Sequence, residues 1–486
     1  MKKLITKGNL SFPSLWLFTC LSVLYPVSHF ASEFNQCKPF SKSLVNQYDQ
    51  LTIKQFKLKN GLRIIVIPAD DENFFTMRLV YGVGSRDEKN GQSGYAHLVE
   101  HLMFKGTELL KDGEYMAQIQ QAGGVGNAST DYDRTDYWAQ LPLNYLERAI
   151  WMEASRMRGL SLNQLNLDNQ LAAVKEEKAL RLTNQPYLHP VSRFIISEWK
   201  DTPYSQLLIG SDEDLNAVNL EKMEQWLAEF YHPANAVIAF TGNIEPSEIK
   251  TLVEKYFSDI PSGHKRSAIQ PFKLVQKAKE VDLHDSKAPW PVHAFAWQVP
   301  GFEDKDSVAI RVVNDILFDR EEGLIYQQLV NQKLAFTVLR LDYAFQYLAL
   351  ANAIVVPHSY VSKSKIQSVI DESLEKIKNQ GVSQQLLCQV INVRSMKRLA
   401  ALNSPFSRVS ETGNNLLLHN NLYYGRQQLQ QLLELTEEDI NRILNLYYGS
   451  NYLFITVEPD WPTRWLKSIL EVLPDSIGRS LEKEVL

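Results

Sequence analysis

Two histidines stand four residues apart, with a glutamate between them, in His97-Leu98-Val99-Glu100-His101. On a helix, residues at this spacing share one face, so both imidazoles can reach one metal ion at about 2.0–2.1 Å. Glu100 projects to the same side, close to a water held by that metal. Zinc lowers the pKa of such a water to about 7, and a carboxylate beside it can take the proton during attack on a carbonyl. The pattern therefore points to metal-assisted hydrolysis, against the plainer alternative of a helix with two surface or core histidines. Two histidines alone hold a metal weakly, so a third protein ligand is required.

The segment Gly94-Tyr95-Ala96-His97-Leu98-Val99-Glu100-His101-Leu102-Met103-Phe104-Lys105-Gly106-Thr107 closely resembles the active-site helix of the pitrilysin family. These are the inverzincins, and the likeness is nearest to the bacterial short-chain members related to mitochondrial processing peptidase. In that family a glutamate on a following helix, some 75 residues on, completes the site. Val174-Lys175-Glu176-Glu177 matches that segment, which makes Glu177 the implied third ligand. Glu176 is the competing choice. One residue along a helix turns a side chain by about 100°, so the two cannot both face the metal. Asn127, Ala128, Ser129 and Thr130 begin a stretch that resembles the family's edge strand beside the active site, implying that extended substrate pairs there. The resemblance is good from Leu51 to Ile260 and looser beyond.

Two positions depart from the family pattern. Gln170 stands where a supporting glutamate is common, seven residues before the third ligand. An amide there can hydrogen-bond but brings no negative charge. The family's second domain usually supplies an arginine and a tyrosine on a stretch like Arg-Glu-Lys-Arg-Gly-Leu-Ala-Tyr, to hold substrate and stabilise the oxyanion. The matching stretch runs from Leu329 to Phe336, so those two positions hold leucine and phenylalanine. Arg320 and Tyr326 lie nearby as substitutes in another register. Some members divide this work between two chains. The pattern here implies a zinc-bearing partner in a heterodimer with a homologous chain that supplies Arg and Tyr, with a homodimer or monomer as the alternative.

Several elements must position these residues. A hairpin is expected from Leu51 to Val66, turning at Lys59-Asn60-Gly61. A strand follows at Phe74–Val83, then a helix from about Ser93 to Lys105-Gly106. A short helix at Glu114–Ala122, two strands within Asn127–Leu141, and helices near Leu143–Arg158 and Leu162–Leu182 come next. An internal repeat organises the rest. Helix, strand and helix at Leu220–Tyr231, Asn235–Thr241 and Pro246–Phe257 return at Thr436–Tyr447, Asn451–Val457 and Pro462–Leu473. Tyr231, Asn235 and Pro246 recur as Tyr447, Asn451 and Pro462, all three at one constant offset. Matches held in register imply a duplicated unit of roughly two hundred residues. The expected fold is α+β, with two homologous domains, each a mainly antiparallel sheet packed with helices. The expected divisions are a signal peptide at 1–31, an N-terminal arm at 32–50, a zinc-bearing domain at 51–265 and a metal-free domain at 266–486.

The 486 residues are 44% hydrophobic and 22% charged, with a net charge of -5, which excludes bulk disorder and gives no support to a nucleic-acid groove. Lys2 and Lys3 precede an apolar run from Leu15 to Val27, and small residues follow at Ser28, Ala31 and Ser32. That order is that of a secretory signal, implying a periplasmic protein, with an uncleaved anchor as the alternative. Cys20 would leave with the signal. Cys37 and Cys388 would either pair or remain two thiols. The reading that follows is a zinc-dependent endopeptidase acting on peptides or unfolded segments, with one Zn2+ per chain. Its rivals are a non-catalytic scaffold or substrate-binding subunit, and a metal-binding module that has no need of Glu100.

Overall fold

The computed structural model describes residues 37–38, 40 and 45–460, apart from 265, 267, 268, 270, 271, 275–277, 320, 321 and 342. Residues 1–38 separate as a unit of their own. The expected signal sequence, Cys20, Arg320 and the helix expected at Pro462–Leu473 lie outside the described residues. Cys37 and Cys388 are each disulfide-bonded, so neither is a free thiol.

Two mainly antiparallel sheets form the frame, each packed with helices. Sheet 1 holds β1 (Lys54–Lys57), β2 (Arg63–Pro68), β3 (Phe74–Tyr81), β4 (Val125–Thr130), β5 (Thr135–Pro142) and β6 (Ala236–Gly242), in the order β1-β2-β6-β3-β5-β4. Sheet 2 holds β7 (Lys279–His284), β8 (Val292–Pro300), β9 (Ala335–Leu339), β10 (Tyr343–Ala344), β11 (Leu348–Pro357) and β12 (Leu453–Glu458). Its order is β10-β11-β8-β12-β7, with β9 also on β11. Each sheet has one parallel pair, β2 with β6 and β7 with β12.

The repeat extends into the strand register. Leu79 pairs with Tyr137 and Ile238, while Phe295 pairs with Ala353 and Phe454. Arg63 lies opposite Val237, and Lys279 lies opposite Leu453. Every residue of the second set follows its counterpart in the first by the same offset that separates Tyr447 from Tyr231. Four strands of one half are thus rebuilt in the other without a slip. A slip of one residue would turn every buried side chain toward the wrong face.

Six helices matter for the site: α1 (Tyr95–Leu102), α2 (Gln164–Lys178), α3 (Leu188–Glu198), α4 (Ser307–Phe318), α5 (Gln384–Ala401) and α6 (Pro405–His419). The helix α1 is shorter than the sequence suggests, and the chain turns only at Gly106, with φ +102. The helix α2 stops at Lys178 and continues through a π-helical turn, Ala179–Thr183, before α3.

The central strands read as unbroken apolar runs because both faces of each sheet are covered. In sheet 1, Ile64, Val66, Ile238 and Phe240 point into the core that holds α1 and α2. Ile65, Ile67, Val237 and Ala239 point the other way, onto Val409 and Leu416 of α6, a helix from the second half. In return, Ile195 of α3, from the first half, packs with Ala296, Leu350 and Ile455 of sheet 2. The two halves therefore exchange a helix. Buried Arg78 ties the first exchange, bonding Asp136 at 2.8 Å, Asn414 at 3.0 Å and the Ser410 carbonyl at 3.2 Å. Gly413 permits this approach, since a Cβ there would lie 3.3 Å from Arg78 Nη1.

Leu416 is 3% exposed in this seam. Leu416→Ala is expected to lower stability by about 2–5 kcal/mol, from the lost apolar burial and the cavity left behind. Urea unfolding with an unchanged m-value would read this directly.

Candidate metal centre

The N-terminus of α1 is held before its side chains matter. Gly94 sits at φ +93, and a Cβ there would fall 2.6 Å from Gly210 Cα, so only glycine fits this entry. The buried Glu88 carboxylate accepts from the Gly94 and Ala96 amides, both at 3.0 Å, where the helix dipole favours negative charge. Burial pushes the Glu88 carboxyl well above its usual range, although these amides oppose the shift. Glu88 stands too far ahead of Gly94 for any capping pattern, so nothing in the local sequence signals it. Leu98 and Leu102 of α1 and Leu167 and Val174 of α2 share the first core, which presses the two helices together.

That packing brings three residues to one point. The Nε2 atoms of His97 and His101 lie 3.6 and 3.3 Å from Oε2 of Glu177. Ligand atoms around a tetrahedral zinc with bonds of 2.0–2.1 Å stand about 3.3–3.4 Å apart. Among the described residues, this is the one group of three His, Cys, Asp or Glu side chains with ligand atoms all within 4.8 Å. The donor set and spacing both fit a zinc ion. Glu176 is exposed, about 100° around α2 from Glu177, and is not in that group. Burial, and then the neighbouring His101, hold the His97 imidazole down to about 4, which keeps it neutral, the form that binds metal. Its Nδ1 is buried without a hydrogen-bond partner among the described residues. Arg181, in the π-helical turn, pairs with the other oxygen of Glu177 at 3.0 Å.

Glu100 leans over the same site. Burial raises its carboxyl to about 7, while a hydrogen bond from Thr130 pulls the other way. Thr130 Oγ1 donates that bond to Glu100 Oε2. Sequence reasoning groups Thr130 with Asn127, Ala128 and Ser129 as a substrate contact and misses this bond to Glu100. All four lie on β4, the outer strand of sheet 1, which among the described residues pairs only with β5. Its free edge is open to an added strand, and the Ala128 amide meets the Asn127 side chain there, at 2.9 Å. Gln170 is buried on α2, but its side chain makes no hydrogen bond to His97, His101 or Glu177.

The second half has no such centre at the corresponding place. The exposure pattern of α1 from His97 to Met103 recurs on α4 from Arg311 to Leu317, so Arg311, Asn314 and Asp315 stand where the first half has His97, Glu100 and His101. Leu329 is fully buried in the second core, and Tyr326 packs against it. Phe336 is 38% exposed, with its ring 3.9 Å from that of His358. Lys333, at the glycine position of the Arg-Glu-Lys-Arg-Gly-Leu-Ala-Tyr pattern, has φ +59. This left-handed conformation is the one glycine serves, which supports the register that puts Leu329 and Phe336 at the Arg and Tyr positions.

Comparison with known proteins agrees with this architecture. The model described as Insulinase (Peptidase family M16) matches residues 63–192, which include His97, Glu100, His101 and Glu177. The one described as Peptidase M16 inactive domain matches residues 217–393. The chain belongs to peptidase family M16. It is 27% identical to zinc protease PqqE of Helicobacter pylori over 396 residues, covering 80% of this chain and 89% of that one. It is 25% identical to the beta subunit of the mitochondrial-processing peptidase of Bos taurus over 277 residues, which spans 55% of this chain and 54% of that one. A solved protease from Helicobacter pylori superposes with a TM-score of 0.76 at 24% identity, covering 84% of this chain and 100% of that one.

Glu177→Gln is expected to weaken zinc binding by more than about tenfold, since it removes a charged ligand rather than an outer-shell contact. Glu176→Gln is expected to leave it unchanged. Zinc content after dialysis against a graded chelator distinguishes the two.

Proposed function

We propose that this chain is a zinc-dependent endopeptidase that hydrolyses peptides or unfolded polypeptide segments. The observation that carries the reading is the convergence of His97, His101 and Glu177, with Glu100 beside them. These three would hold one zinc ion. Bound there, zinc supplies Lewis acidity to a water and to the scissile carbonyl. The open edge of β4 takes the peptide as an added strand, so main-chain bonds at Asn127 to Thr130 set its direction while its side chains stay free. Glu100, held by Thr130, takes a proton from the attacking water and passes it to the amide nitrogen as the C–N bond breaks. The zinc proteases among its relatives support this assignment.

The chain departs from its family where oxyanion donors are expected, at Leu329 and Phe336. We read it as the zinc-bearing member of a pair, with a homologous chain supplying Arg and Tyr. The likeness to a protein named as a beta subunit supports this assignment. The charged, apolar and small order from Lys2 to Ser32 supports export to the periplasm. Among the described residues no helix is long and apolar enough to cross a membrane.

Glu100→Gln is expected to lower kcat by about 10²–10⁴ with zinc content unchanged. A peptide-library digest alongside metal analysis checks both. Retained turnover would return the protein to a metal-binding module. The pure chain is also expected to turn over slowly. Phe336→Tyr, which restores one hydroxyl donor, should raise kcat toward the factor of about 10²–10³ that one such donor supplies. Full activity of the pure chain, with no gain from that substitution, would remove the need for a partner.

A further inference from the structure

Two cavities of about 350 and 450 Å³ adjoin between α4 and α5 in the second half, and Arg311, Arg340 and Arg394 line both. The larger is also lined by Lys397 and Arg398, and among the described residues the only carboxylates on either wall are Asp315 and Glu411. Five cationic side chains thus face two anionic ones. Both carboxylates are already engaged. Asp315 accepts from Arg340 at 2.9 Å and from Arg394 at 2.7 Å. Glu411 accepts from Arg398 at 2.8 Å and from the Tyr48 hydroxyl at 2.9 Å.

Arg311 is left over. Its side chain makes one hydrogen bond, from Nε to the Ser307 carbonyl at 3.2 Å, and its two terminal nitrogens make none among the described residues. Burial, then the nearby Arg394 and Arg398, push its pKa down to about 10, the response of a cation short of counter-charge. Arg311 is half-buried, and a guanidinium drawn partly out of water with no anion bonded to its terminal nitrogens is a cost that an incoming oxyanion relieves.

The cluster lies at the repeat position of the metal centre. The exposure pattern of α1 from His97 to Met103 recurs on α4 from Arg311 to Leu317, which places Arg311 and Asp315 where the first half has His97 and His101. The smaller cavity also shares Leu341, Tyr343 and Leu350 as a wall with an apolar cavity of about 310 Å³, which Arg181 lines as well. Arg181 is the partner of Glu177.

We propose that this arginine cluster is a binding site for a multiply charged oxyanion, with Arg311 as its free fork. Guanidinium forks bind carboxylate and phosphate oxygens in pairs. The same chemistry can come from adjacent carboxylates of an acidic peptide segment or from a free phosphate-type anion. The inference does not depend on the metal centre.

Calorimetric titration of the full chain at low salt, with pyrophosphate in one arm and a hexaglutamate peptide in the other, tests it. Saturable one-to-one binding in at least one arm is expected, weakened more than about tenfold by Arg311→Met and unchanged by Arg148→Met, a surface control. Binding by peptide alone assigns the site to acidic segments, and by pyrophosphate alone to a free anion. Without any anion, Arg311→Met should keep or raise Tm, because it removes an uncompensated charge; a purely structural arginine would lower it. If that variant fails to fold, Lys397→Met, at an exposed position on the same wall, should still weaken binding several-fold. No binding in either arm, or equal affinity in wild type and Arg311→Met, overturns the proposal.

Discussion

Helix α1 has eight residues, too few to hold a helical shape in water by itself. It persists because Glu88 satisfies its first amides and because Leu98 and Leu102 are pressed into the core shared with α2. This α1–α2 contact sets the whole site. It places Oε2 of Glu177 within 3.6 Å of both imidazoles, at the separation a tetrahedral ion demands. A shift of one residue along α2 would present Glu176 or Lys178 instead and leave two histidines with no third donor.

The contact in turn depends on sheet 1 being covered on both faces. One face receives α1 and α2, and the other receives α6 from the second half. Sheet 2 receives α3 from the first half in the same way. Each half supplies a helix that the other needs to bury its strands, so the metal centre rests on residues several hundred positions away. The Arg78 bonds to Asp136, Ser410 and Asn414 join β3 and β5 to that distant helix.

The two halves keep one strand register and differ in chemistry. The first half carries the candidate metal triad. On α4 the second half has Arg311, Asn314 and Asp315 where α1 has His97, Glu100 and His101, with the same alternation of buried and half-buried positions.

Much of this was legible in the chain itself. The spacing of His97, Glu100 and His101 is a local property of a helix, and helical periodicity is written in short windows of sequence. The repeat was legible because Tyr, Asn and Pro recur at a fixed offset, although Tyr231, Asn235 and Pro246 held no hint that strand pairing follows it to the residue. The choice of Glu177 over Glu176 could be suggested only by family likeness, since both sit on one helix and only the neighbour it packs against decides which faces inward. Most caps and props were invisible. Glu88 on α1 and Thr130 on Glu100 are contacts between elements whose relative placement no short window encodes, whereas Arg181 on Glu177 is a pair four residues apart that a short window does hold. The exchange of α3 and α6, and the surplus charge at Arg311, likewise exist only after folding, because burial and counter-charge are properties of the assembled surroundings rather than of a residue type.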